Sequence, residues 1–404
     1  MKQLLHISVS GLAILIIATC LLSCKKDIPE PFYTNKAHTV IVYMGAENNL
    51  GDTNPNLDLS FQDLEEMRFA IKDIPSTSQI IVFRDALNNP EIYHLTNHKY
   101  QLWKQYTQEL NSADPVTMKS VLSEIITKFP SDKYSLVLWS HGSGWSDHTR
   151  TPNRSIIVDN NQNSGNSNSG SWMHISELAQ TLSTLPKMEY IFFDACYMQS
   201  VEVVAELYPF SNYIIGSPTE IPGNGAPYHL ILKDLCQGNP QGIIEGYASG
   251  YPGEKSVLLS AVCCENFPEF CQKNTKYFQE YFQKDNMPNV AGIQIYAPRF
   301  GYSPDEQATM PVPYDMRSAM HHILPAEKFK EWDIYWKKTI LYPKSAKKWE
   351  SIFNGYFHCS MTDPSYYGGI SMNIPNTKYE NKGWNEMFRN NIWYTLGGWT
   401  ETGW

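Results

Sequence analysis

Apolar residues fall along this chain in short unbroken runs, set apart by polar turns. His38-Thr-Val-Ile-Val-Tyr-Met44, Gln79–Phe83, Tyr134–Trp139, Tyr190–Phe193 and Asn212–Gly216 are rich in β-branched and aromatic residues. Runs of this length and composition predict strands buried on both faces. Between them the spacing becomes helical. Leu57, Phe61, Leu64, Met67 and Ile71 line one side of a helix that Pro75 stops. Asp114 and Pro115 predict an N-cap and first turn for a helix running to about Phe129. Ile175–Leu185 and Gln199–Tyr208 predict two more helices, and Ile92–Leu95 with Tyr100–Trp103 predicts a hairpin. Strand and helix in alternation require right-handed crossovers and a mostly parallel α/β sheet.

From about Gly238 the pattern loosens. Ser256–Cys263 and Gly292–Tyr296 are strand-like, Phe267–Phe282 is helical, and Pro298–Pro313 reads as a proline-rich connector. Residues 315–404 read as a mixed α+β addition with a further strand at Gly369–Ile374. Asn160–Ser171, made only of Asn, Gln, Ser and Gly, predicts a surface loop. No internal repeat is present.

The N-terminus has a different character. Ile7–Ser23 is uncharged and mostly apolar, and Leu21-Leu-Ser-Cys24 closes it. A small residue before a cysteine after so short an apolar run resembles a bacterial lipobox rather than a plain signal-cleavage site. The expectation is a signal peptide over 1–23, acylation of Cys24 and a polar tether over 24–37. Lipid chains would hold the protein on a membrane without spanning it. The division expected for the rest is a main domain over 38–300 and a C-terminal extension over 301–404 packed on it.

Composition narrows the classes. Charged residues are 18% and hydrophobic ones 42%, as in a globular chain. A net charge of −9 with no basic stripe argues against nucleic-acid binding. The 25 tyrosines and 11 tryptophans suit core packing better than glycan binding. Cys196, Cys236, Cys263, Cys264, Cys271 and Cys359 lack the spacing of a disulfide framework or zinc site, though one disulfide among the last five stays open.

Two runs end in chemistry. Tyr134–Trp139 leads into Ser140-His141-Gly142, and Tyr190–Phe193 leads into Asp194-Ala195-Cys196. In open α/β sheets, sites form beyond the carboxyl ends of the strands. A histidine and a cysteine delivered there can share a proton, and the thiolate is the competent nucleophile. Gly142, lacking a side chain, can bring its backbone N–H to a substrate carbonyl. With the Cys196 amide it would form an oxyanion hole. A helix starting near Gln199 would add partial positive charge beside the sulfur.

The residues also carry a resemblance. Thr39–Met44 followed by Glu47-Asn-Asn-Leu50, Trp139-Ser-His-Gly-Ser-Gly-Trp145, and Phe193-Asp-Ala-Cys-Tyr-Met198 with Glu202 resemble the clostripain-related cysteine peptidases. Ser217-Pro-Thr-Glu220, Pro222-Gly223 and Gly369-Ile-Ser-Met-Asn-Ile-Pro375 extend it over most of residues 38–400. The resemblance implies a caspase-like fold, with His141 as base and Cys196 as nucleophile in peptide hydrolysis through an acyl-thioester. It implies Asp194 as an acid of the substrate pocket. Relatives that cleave after Arg or Lys commonly carry Gly-Asp-Gly where this chain has Gly223-Asn224-Gly225. Asn224 can accept a hydrogen bond from a guanidinium but forms no ion pair, so only a weak preference for basic P1 residues is expected. Glu220 could compensate. Self-cleavage at Arg150 or Arg154 is the activation route the resemblance suggests.

Asp159 and nearby Asn residues offer oxygen ligands, yet their spacing fits no EF-hand, and no metal or cofactor is expected. The expected partners are peptides or proteins, with the chain a monomer on the bacterial cell envelope, at the outer membrane rather than the inner. The competing readings are an inactive or non-hydrolytic surface lipoprotein binding peptides or glycans, and a transpeptidase.

Overall fold

The computed structural model describes residues 35–146, 155–160, 170–253, 256–297, 311–351 and 357–404. Strands β1 (Lys36–Gly45), β2 (Ser78–Asp85), β3 (Glu91–Thr96), β4 (Lys99–Gln105) and β5 (Ser131–Trp139) come first. A short ribbon of β6 (Ile156–Asp159) and β7 (Ser171–Met173) follows, then β8 (Met188–Asp194), β9 (Ser211–Gly216) and β10 (Leu259–Cys263). The later strands are β11 (Tyr314–Asp315), β12 (Ile340–Lys344), β13 (Lys348–Ser351), β14 (Phe357–Ser360) and β15 (Ser371–Met372).

Nine of them form one sheet in the order β12-β10-β9-β8-β5-β1-β2-β3-β4. Its centre, β9-β8-β5-β1-β2, is parallel throughout. The predicted hairpin β3–β4 continues it antiparallel on one side, and β10 with β12 does so on the other. The parallel strands read as unbroken apolar runs because helices cover both faces. Alternate residues Val40, Val42, Ile80, Val82, Val137 and Phe192 bury against helices α1 (Leu59–Phe69), which Leu64 and Met67 anchor, and the later Tyr228–Gln237 and Pro240–Gly250. Ile41, Tyr43, Leu136, Leu138, Ile191 and Phe193 alternate with them and are equally buried.

Most helices fall where the spacing placed them. Asp58 caps α1 through the Phe61 N–H and pairs with Arg84 of β2. Asp114 caps α2 (Pro115–Lys128), its carboxylate accepting from the Thr117 N–H at 2.9 Å. Helices α3 (Ile175–Leu182) and α4 (Val201–Leu207) precede and follow β8. Helix α5 (Tyr228–Gln237) lies where no helix was predicted, and α6 (Pro240–Gly250) falls in the stretch where the pattern loosened. Three strand expectations shrink, the first from Ser256–Cys263 to Leu259–Cys263. Gly292–Tyr296 keeps one bridge, Ile295 to Tyr314, and Gly369–Ile374 is reduced to β15. A turn at Gly369, with φ of +78°, interrupts the third.

The C-terminal extension shares the main sheet. Its β12 pairs with β10 through Ile340–Val262 and Leu341–Ala261. Ser371 N–H donates to Gln199 O at 3.0 Å, and Asn373 N–H to Glu202 Oε1 at 2.7 Å. Many aromatics are spent here on packing: Trp332, Trp349, Trp393 and Trp399 are fully buried. All six cysteines among the described residues are free thiols. No helix among those residues is long and apolar enough to cross a membrane.

Glu202 is buried inside this junction, and burial lifts its carboxyl from 4.5 to about 7. The folded state therefore holds a proton that the unfolded chain releases from about pH 4.5. Its contribution favours folding at low pH and is lost as pH rises toward 7. The expected outcome is that Glu202→Gln raises the melting temperature relative to the parent more at pH 8 than at pH 5. The gap corresponds to roughly 3 kcal/mol at most, readable by differential scanning calorimetry at both pH values.

Candidate active site

Strands β5 and β8 are parallel neighbours in level register, Leu138 opposite Phe193 and Trp139 opposite Asp194. The chain leaving β5 therefore brings Ser140-His141-Gly142 to the same sheet edge as the Ala195-Cys196 that leaves β8. Gly142 makes the closest approach. A Cβ on it would stand 2.5 Å from the Cys196 carbonyl oxygen and 3.0 Å from Ala195 Cβ and Met198 Cγ. Only a residue without a side chain lets the two turns meet. Tyr197, next after the cysteine, has φ of 60°. A bulky side chain in the left-handed region is strained, and the Tyr197 N–H to Thr219 O bond of 2.9 Å helps hold it.

The β6–β7 ribbon braces the histidine turn. Ile157 N–H donates to His141 O at 3.1 Å and Ser143 N–H to Ser155 O at 2.9 Å. These bonds flank Gly142, which faces Ile156 as the non-bonded pair of an antiparallel bridge. The ribbon thus leaves the Gly142 N–H unspent. Ile157 is itself left-handed, with φ of 59°, a rare state for a β-branched residue.

His141 Nε2 lies 2.7 Å from Asn49 Oδ1. An oxygen acceptor there puts the ring proton on Nε2 and leaves Nδ1 as the basic nitrogen. Asn49 is the site residue that pattern reading missed as a functional group, although it lies in the Glu47-Asn-Asn-Leu50 block after β1. The signal available was a pair of amides just beyond the carboxyl end of a central strand. The Cys196 sulfur accepts from the Ile221 N–H at 3.4 Å, and its S–H points to Ile221 O at 3.9 Å. The expected thiol–imidazole hydrogen bond is therefore not formed in this structure. Asn49 and Ile221 each hold one partner, and a thiol competes weakly for hydrogen bonds.

Electrostatics agree with this arrangement. Burial lowers the His141 imidazole to about 4. Burial first, and then the charge of Glu220, push the Cys196 thiol up to about 12, with the Ile221 N–H opposing them. Both groups are neutral near pH 7. The helix expected to favour the thiolate starts at Val201, is seven residues long and is capped by Ser200. It does not bring the thiol below its ordinary value. The charge of Glu220, unplaced by the sequence, acts on the sulfur and disfavours the thiolate.

Asp194, which the resemblance assigns to the substrate pocket, has three hydrogen-bond donors around it in the structure. Oδ2 accepts from the Ala226 N–H at 2.9 Å and the Tyr228 hydroxyl at 3.0 Å, and Oδ1 from the Tyr247 hydroxyl at 3.2 Å. Its side chain is buried, and burial raises the carboxyl to about 6. A carboxylate ending a strand attracts such donors, so here it ties the 222–228 segment to β8. Asp63 stands close by, accepting from Trp139 Nε1 at 2.6 Å. Gly225, with φ of 63°, covers both acids: its Cβ would lie 2.8 Å from Asp194 Oδ2 and 3.2 Å from Asp63 Oδ2. Asn224 is exposed in the turn above them. Cys24, Arg150 and Arg154 lie outside the described residues.

The profile of the clostripain family of C11 peptidases matches residues 42–259, more than half of the chain. Clostripain from Hathewaya histolytica is 23% identical over 233 residues, which cover 50% of this chain and 43% of clostripain. The chain thus spans less than half the length of that relative. A secreted C11 cysteine protease from Bacteroides thetaiotaomicron, solved with an irreversible peptide inhibitor, superposes with a TM-score of 0.75 at 25% identity, covering 90% of this chain and 99% of the other. An inactive zymogen C11 protease from Parabacteroides distasonis shares the fold with a TM-score of 0.72 at 22% identity, covering 91% and 99%. By the family profile and by the arrangement of its sheet, the chain belongs to the clostripain family of cysteine peptidases.

Proposed function

We propose that this chain is an endopeptidase that cleaves peptide bonds through a thioester on Cys196. The observation that carries the reading is the meeting of the His141-Gly142 and Cys196 turns at the ends of adjacent strands, with Gly142 packed on the Cys196 carbonyl. The thiol turns from Ile221 toward His141 when substrate enters, and Nδ1 takes its proton as sulfur bonds the peptide carbon. The N–H groups of Gly142 and Cys196 stabilise the oxyanion. The imidazolium then protonates the leaving amine, and water hydrolyses the thioester with the histidine again as base. Asn49 fixes the tautomer, the role that an amide plays in Cys-His-Asn sites.

The weak preference for basic P1 side chains rests on Glu220, whose charge acts on the Cys196 thiol, and on the resemblance for Asp194; in the resting structure Asp194 and Asp63 are both buried, with their carboxyls raised. Without an ion-pairing acid at 224 the preference is weak. The lipobox-like Cys24 supports attachment to a bacterial envelope membrane by acyl chains, and Arg150 and Arg154 are the sites for activating self-cleavage. The expected substrates are peptides or proteins.

Cys196→Ala is expected to cut peptide hydrolysis by at least about 10⁴-fold and abolish labelling by a peptidyl acyloxymethylketone, with melting temperature unchanged. Turnover retained in that variant would end the proposal. Gly142→Ala should lower kcat by about 10²-fold or more, because its methyl displaces the Cys196 carbonyl, as measured with a fluorogenic peptide. A positional-scanning library should rank Arg and Lys first at P1 by a small margin; a large preference for acidic or apolar residues would refute the pocket assignment.

A further inference from the structure

The catalytic edge of the sheet also carries a pocket that the Cys–His chemistry leaves unused. It is open and narrow, about 300 Å³ with the solvent at its mouth included. The chain leaving Gly142 lines it with Ser143 and Trp145, the chain leaving Cys196 with Tyr197 and Ser200, and the C-terminal extension with Val312 and Met372. The first two chains stay in contact along it. A Cβ on Gly144, where φ is +78°, would lie 3.1 Å from the Tyr197 carbonyl oxygen.

Topology fixes which way the pocket faces. Successive residues of a strand point to opposite faces of the sheet. On one face Val42, Trp139, Ala226, Tyr228 and Tyr247 share a core, and the Asn224 turn runs straight into it. On the other face the Tyr43 hydroxyl donates to Ser112 O, shortly before α2, at 2.9 Å. Helix α2 packs on α3 and α3 on α4, which Ser200 caps. The pocket therefore lies on the second face, and the contact of Gly142 with the Cys196 carbonyl separates it from the Asn224 turn.

We propose that this pocket is the leaving-side subsite of the peptidase: it receives a residue just after the scissile bond, P1′ or P2′, and selects a small uncharged side chain. The assignment rests on the Cys–His reading. A peptide whose P1 carbonyl is held by the Gly142 and Cys196 N–H groups, with its P1 side chain toward the Asn224 turn, continues past the sulfur onto the other face. His141 protonates the departing amine, so the departing residues cross the His141-Gly142 turn. The residues that follow this turn are the ones lining the pocket.

The lining accounts for the selectivity. None of the described residues around the pocket is charged. The serine hydroxyls there are spent on the main chain: Ser143 Oγ donates to Ser146 O at 3.3 Å, Ser371 Oγ donates to Gln199 O at 3.4 Å, and Ser200 Oγ accepts from the Val203 N–H at 3.2 Å. What they leave to a ligand is the apolar surface of Trp145, Tyr197, Val312 and Met372. A charged side chain placed there loses hydration and meets no opposite charge. The narrow space turns away an indole.

The test uses the full chain and two kinds of substrate with arginine at P1. One is an internally quenched peptide varied at P1′ and P2′; the other is a peptidyl aminomethylcoumarin, which has no residue after the scissile bond. Ala or Val is expected to exceed Asp, Lys and Trp at one of the two positions by about tenfold or more in kcat/KM. Val312 is only half-buried, and its main-chain N–H bond to the Tyr379 hydroxyl at 3.2 Å does not depend on its side chain. Val312→Lys should raise the ratio of Asp-peptide to Ala-peptide cleavage by about tenfold or more, a change that a merely structural role would not produce. Val312→Trp, which fills the pocket, should flatten the same ratio if Val312→Lys does not fold. Coumarin release without any leaving-side selectivity would overturn the subsite and leave the Cys–His reading standing, as would a ratio unaltered in both variants. Absence of coumarin release would instead overturn the Cys–His reading, and the subsite with it.

Discussion

The level pairing of β5 with β8 is the constraint on which the site depends. Parallel neighbours that end together release their chains at one edge, so His141 from one and Cys196 from the other arrive without any long-range search. That geometry alone would leave a gap between the turns. Gly142 closes it, because nothing larger can lie against the Cys196 carbonyl. The local strain at Tyr197 and Ile157 falls on the two sides of the same contact. Left-handed residues in such positions persist only where surrounding bonds over-determine them, and here the Thr219 and His141 carbonyls take part in doing so.

The resting site holds its reactive groups apart and uncharged. The thiol is engaged by Ile221 and the imidazole by Asn49. A buried thiolate–imidazolium pair would carry a large desolvation cost, so neutral partners are the cheaper ground state in this arrangement. On the proposed reading, substrate would supply what the resting protein lacks, a polar carbonyl at the oxyanion position and a reason for the thiol to rotate. Catalysis through differential binding needs contacts that strengthen only as the reaction proceeds, and the unspent Gly142 N–H is such a contact.

Much of this was legible in the order of residues. Buried parallel strands announce themselves as continuous apolar runs, which made β1, β2, β5, β8 and β9 readable. The Asp114-Pro115 start of α2 carried its own cap. The His-Gly and Asp-Ala-Cys endings were readable because strand ends in such sheets are where sites lie. The rest required distance information. The Tyr228 and Tyr247 hydroxyls that meet Asp194 come from helices later in the chain, so its surroundings could not be read from its own segment. The hydrogen bond from Asn49 to His141 joins residues far apart in the chain. Helices α5 and α6 were missed because their apolar periodicity is interrupted by Gly238 and Pro240 between them.

The strand contributed late by the chain, β12, lies outermost on its side of the sheet and covers β10. Were it to peel away, β10 would show a row of vacant amide and carbonyl groups along an apolar strand, the template from which cross-chain aggregation grows. Its outward residues Tyr342, Pro343 and Lys344 are partly or fully exposed. A proline and a lysine on a free margin discourage another molecule from docking there. The last quarter of the chain thus shields the margin of a proteolytic sheet.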